Sequence, residues 1–90
     1  MAEQINLILL IVDKELKNKN SLWTKEQLNC VKHEMEELYS YFKKGVEYFK
    51  YGKRHRMLES TYIINDSMNK LSLTLLGQEI IKLQDFYYKI

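Results

Sequence analysis

Leu28, Val31, Met35, Leu38 and Phe42 step along the chain by three, four, three and four residues, and Val46 and Phe49 extend the series. That spacing places every member on one face of an α-helix and forbids the alternating faces of a strand. Just upstream, Thr24 is followed three residues later by Gln27, the pairing in which each side chain serves the other's unpaired backbone N–H at a helix start. Gly52 is suited to the left-handed residue that closes a helix. The spacing therefore predicts one long central helix over about 24–51. A seam of this length needs another helix against it.

The rest of the chain supports a helical fold. Its 90 residues suffice for one domain over 1–90, and they contain no proline and three glycines, so the turn punctuation of β-rich folds is scarce. In residues 4–18, Ile5, Leu9, Val12 and Leu16 recur at helical spacing, but Leu7, Ile8, Leu10 and Ile11 make the segment apolar nearly all round. Such a helix is central in its fold or is completed by a second copy of the chain. Thr74 caps a last helix over about 74–88, whose stripe is Leu76, Ile80, Leu83 and Tyr87. Between them, Met57, Thr61, Ile64, Met68 and Leu71 fit a helix over about 53–66 followed by a loop. In the same stretch TYII is β-prone, NDSMN is turn-like and KLSLT alternates. The expected class is an all-α small antiparallel bundle. An α+β alternative with a β-hairpin at about 61–73 stays open.

Charge is unevenly spread. Residues 43–56, KKGVEYFKYGKRHR, carry +5 through six basic residues and Glu47, leaving −3 for the remainder of a chain whose net charge is +2. Glu34, Glu36 and Glu37 form an acidic counterpart. Lysines near a helix C-terminus also oppose its dipole, and Glu47 interrupts the face that Lys43, Lys50 and Arg54 share. A phosphate-tracking surface avoids such a central acid. Lys50, Lys53, Arg54, His55 and Arg56 are thus the candidate contacts for nucleic acid or an acidic partner, with nucleic acid the weaker expectation.

Gly45 stands in mid-helix, where glycine costs roughly 1 kcal/mol relative to alanine. Tyr41 and Tyr48 flank it on one stripe, making a notch between two aromatic walls. Either a helix of the same chain crosses there, or the notch takes a partner's side chain. The candidate partner site is Tyr41, Lys44, Gly45, Tyr48 and Tyr51.

Catalytic and metal chemistry find little to use. Cys30, His33 and Glu37 can share a helical face, but a zinc site asks for three or four ligands, and the chain has one cysteine and two histidines. No metal or other cofactor is expected. The carboxylates interleave with lysines at helical-pair spacing, as in Lys32–Glu36 and Lys43–Glu47, and no glycine loop exists to hold phosphate. The chain is not expected to be an enzyme. Its longest apolar run, Leu7–Val12, is too short for a membrane, and a lone cysteine suits a reducing compartment, so the expected location is the cytoplasm. Twelve lysines against two arginines, with one alanine, suggest an AT-rich bacterial or phage genome.

Residues Leu73-Thr74-Leu75-Leu76-Gly77 resemble the L-T-x-x-G element of winged-helix transcription regulators, in which a wing strand leads into a helix; TYIIND at 61–66 would be that strand. The resemblance covers residues 61–88 and implies a dimeric DNA-binding regulator. The composition and pattern of the whole chain favour a different function: a small regulatory or inhibitory protein that binds another protein through a helical surface, with a homodimer as one form of that pairing.

Overall fold

The structure is a computed structural model that describes residues 2–44, 58–67 and 70–89, with backbone alone for 87–89. Among the described residues there is no strand. Helices α1 (Ala2–Leu16), α2 (Lys25–Lys43) and α3 (Glu59–Asp66) are followed by a 3-10 turn at Leu71–Leu73 and by helix α4 (Leu75–Lys89). Helix α1 packs on α2 and α4, and α3 packs on α2 and α4. The all-α bundle is the fold, and the β-hairpin alternative at 61–73 is not formed.

Helix α2 opens as its sequence dictates. Gln27 N–H donates to Thr24 Oγ1 at 3.1 Å, and Thr24 N–H donates to Gln27 Oε1 at 2.9 Å. Leu28, Val31, Met35 and Leu38 are buried, and Phe42 packs half-buried against them. The helix closes at Lys43, where Lys44 N–H turns back to the Tyr41 carbonyl at 3.0 Å. Residues 45–51, expected to continue it, lie outside the described residues.

Helix α1 resolves its all-round apolarity in one direction. Ile5, Ile8, Ile11 and Val12 enter the core, Leu9 and Leu16 sit at its margin, and Leu7 and Leu10 face outward. The buried face is thus rotated from the expected stripe of Ile5, Leu9, Val12 and Leu16. Gln4 holds α1 to α4 by donating to Glu79 Oε2 at 2.7 Å and to the Glu79 carbonyl at 3.0 Å. The bond from Gln4, then that from Lys82, keeps the Glu79 carboxyl below the usual glutamate range.

The segment that sequence reads as β-prone is helical in α3. The helix expected over about 53–66 opens at Glu59, because Leu58 is extended (φ −67, ψ 146) and supplies no side-chain cap. Burial of Leu58, Thr61 and Ile64 against α2 and α4 overrides the β propensity of TYII. The alternation in KLSLT belongs to the 3-10 turn, which buries Leu71 and exposes Leu73.

Thr74 then starts α4 with a hydroxyl whose hydrogen-bonding capacity is full. It accepts from Gly77 N–H at 3.0 Å and from Trp23 Nε1–H at 3.1 Å, and donates to the Leu71 carbonyl at 2.6 Å. Leu76, Ile80 and Leu83 continue from there into the core. Gly77 is required by a close approach: a Cβ there would stand 1.9 Å from the Leu71 carbonyl oxygen.

Two outcomes test this packing. Helix propensity alone makes Gly77→Ala stabilising by about 1 kcal/mol. The backbone contact instead makes it destabilising by about 2 kcal/mol in urea unfolding. Gln4→Ala should cost about 1 kcal/mol at neutral pH, from a bond to an ionised acceptor. A carboxyl held low in the folded state stabilises above its unfolded pKa and loses that contribution as pH falls through its folded value. The gap between Gln4→Ala and the parent chain should therefore narrow below about pH 4.

Candidate functional site

Two buried polar side chains meet the start of α3. Glu34, on α2, is 5% exposed and accepts three hydrogen bonds: from Glu59 N–H at 2.7 Å, Ser60 N–H at 2.8 Å and Ser60 Oγ–H at 2.6 Å. Gln84, on α4, turns its Oε1 to the same turn, accepting from Leu58 N–H at 2.6 Å and Thr61 Oγ1–H at 2.8 Å. A carboxylate at the positive end of a helix is favourable, and here it is supplied by a neighbouring helix rather than by the capping residue itself. The arrangement holds three helices at one point.

Cys30 lies one turn before Glu34. Its thiol points to Glu59 Oε2 at 3.8 Å. Burial pushes the thiol pKa up, and the carboxylates of Glu59 and Glu34 add to the effect. Nucleophilic and redox chemistry need the opposite, a thiol drawn down by positive charge. His33 and Glu37, which the sequence places on the same helix as Cys30, are exposed. Among the described residues no group of three or more His, Cys, Asp or Glu side chains could hold a metal ion.

The notch expected at Tyr41, Lys44, Gly45, Tyr48 and Tyr51 is described in part. Tyr41 is half-buried and packs against the core, so its ring is already in use inside the fold. Lys44 is exposed at the end of α2. Nearby, Lys43 Nζ sits 4.9 Å from the centre of the Tyr39 ring. Gly45, Tyr48 and Tyr51, together with Lys50, Lys53, Arg54, His55 and Arg56, lie outside the described residues.

Glu34 is a correction to the acidic patch read from sequence. Glu36 and Glu37 are exposed as expected, but Glu34 is turned inward as a cap. A signal for it exists in the spacing. Glu34 stands three residues after Val31 and four before Leu38, inside the apolar stripe, and Gln84 likewise follows Ile80 by four. A polar residue on a buried stripe needs partners, and these two have them.

The described surface carries several exposed large apolar side chains. The most exposed are Leu73 at 79%, Leu22 at 67%, and Leu75 and Leu10 at 62%. Leu22 adjoins Trp23 in the chain, and Leu73 and Leu75 adjoin Thr74. Trp23 and Thr74 are joined by a hydrogen bond, so three of these four leucines are chain neighbours of its two partners.

Glu34→Ala removes the acceptor of three donors at once and leaves buried N–H groups without a partner. It should destabilise the chain by about 3 kcal/mol in denaturant unfolding. Glu34→Gln, which keeps one acceptor oxygen, should cost less. No family model, curated protein or solved structure matches the chain.

Proposed function

We propose that the chain is a small non-enzymatic protein that regulates or inhibits another protein by binding it through a helical surface. The observation that supports this most directly is the solvent exposure of Leu22, Leu73 and Leu75 around the Trp23–Thr74 hydrogen bond. Isolated surface leucines are ordinary, whereas apolar side chains that share one patch signal a contact surface. Burying such side chains against a partner yields roughly 25 cal/mol for each Å² of apolar area removed from water.

No described helix is long and apolar enough to cross a membrane. Together with a free Cys30, this supports action in the cytoplasm, and the lysine-rich, alanine-poor composition supports a bacterial or phage source. A second copy of the chain is one partner that the surface would accept. The DNA-binding alternative loses its wing, since residues 61–66 lie in α3.

A double substitution, Leu73→Glu with Leu75→Glu, tests the proposal. Both side chains are exposed, so the helical circular dichroism should be unchanged. Proteins captured from a native host extract by the parent chain, or its own dimer in light scattering, should be lost. Equal capture by both chains would remove the leucines from the function. Steeply salt-dependent DNA binding by both would favour a nucleic-acid role instead.

A further inference from the structure

Helix α1 carries a second apolar stripe that the fold does not use. Ile5, Ile8, Ile11 and Val12 are buried, yet Leu7 is 42% exposed and Leu10 62%. Both leucines belong to one line of exposed residues: Glu3, Leu7, Leu10 and Lys14. Steps of four, three and four keep that line within roughly 60° of arc around the helix axis. They are also the seam spacing by which one helix packs along another. The salt bridges among the described residues join Lys17 to Asp13 and Lys82 to Glu79, and neither takes up Glu3 or Lys14.

The line has the same spacing in both directions, with the sign of its charge inverted. Glu3 stands four residues before Leu7, and Lys14 stands four after Leu10. A two-fold contact between identical chains demands such symmetry, because residue i must meet j while j meets i. When a second α1 lies antiparallel across the first, Leu7 meets Leu10, and each Glu3 meets a Lys14 of the other copy. Within one chain Glu3 and Lys14 cannot pair, since at about 1.5 Å per residue they stand roughly 16 Å apart along the helix. A parallel copy would set Glu3 against Glu3 and Lys14 against Lys14.

We propose that this face of α1 is a homodimer interface, formed by antiparallel packing of α1 from two copies of the chain. Leu7 and Leu10 of each copy fill its centre, and the two Glu3–Lys14 pairs close its ends. A single helix pair of this length falls below the roughly 1,200 Å² of standard interfaces, so the dimer is weak, with a dissociation constant on the order of 100 µM. The interface uses none of Leu22, Leu73 and Leu75 and does not depend on a partner there.

Sedimentation equilibrium of the full chain from ~10 µM to ~1 mM, at low ionic strength, should show monomer and dimer in exchange. Leu10→Glu should abolish the dimer over that range. Glu3→Lys alone, or Lys14→Glu alone, sets like charges together at both ends and should weaken the dimer about tenfold. Both exchanges in one chain recreate the opposite-charge pairs and should return the affinity to within about threefold of the parent. Mixing the two single variants should likewise give a heterodimer. Glu3 and Lys14 each suit the dipole of α1, so the doubly exchanged chain is the least stable of the set, and regained pairing cannot come from regained fold. Unchanged circular dichroism confirms that each variant is folded. A chain that stays monomeric at ~1 mM overturns the proposal. So does a dimer that survives Leu10→Glu, or a doubly exchanged chain that pairs no better than the single ones.

Discussion

The carboxylate of Glu34 is the interaction on which the rest of this fold depends. Removing an ionised group from water is expensive unless every oxygen finds a donor. Glu34 meets that condition with two backbone N–H groups and one hydroxyl, all from the first residues of α3. In return α3 gains the cap that Leu58 cannot supply. Gln84 completes the turn from the opposite side by accepting from Leu58 and Thr61. Two polar side chains thus fix how α2, α3 and α4 sit, and the apolar contacts of Leu38, Leu58, Ile64 and Leu83 fill the space that they define.

What was legible in the sequence was what depends on near neighbours. The seam of α2 and the Thr24–Gln27 box are encoded within three or four residues, and the structure holds the box and the seam from Leu28 to Phe42 as read. The Thr74 cap is equally local. The long-range polar contacts were not legible, because Glu34 and Ser60 are 26 residues apart and spacing alone gave Glu34 no partner. Helix α1 was legible as a helix but not in orientation, since a segment apolar on every side has no polar face to mark its outside. The β-prone TYII misled because propensity is a weak force beside burial against two helices. Gly77 was visible as part of a motif, yet its necessity comes from the Leu71 carbonyl lying against it. Of the expected site, Tyr41 and Lys44 are described, and the first is partly spent on the core.

Trp23 joins several of the features that bear on function. Its indole N–H reaches Thr74, so the loop after α1 is tied to the cap of α4. Its ring borders a cavity beside Glu15, while its neighbour Leu22 is turned to solvent.

Helix α3 has a further consequence, for the order in which the chain folds. Eight residues are too few to be stable alone in water, and this helix has no cap of its own. The acceptors it needs arrive from positions 25 or 26 residues away on either side. Helices α1 and α2, joined by a short loop, can pair through contacts close in the chain, whereas α3 must wait until α2 and α4 already stand near each other. Formation of α3 is then a late event, and its melting is an early sign that the other helices have begun to part.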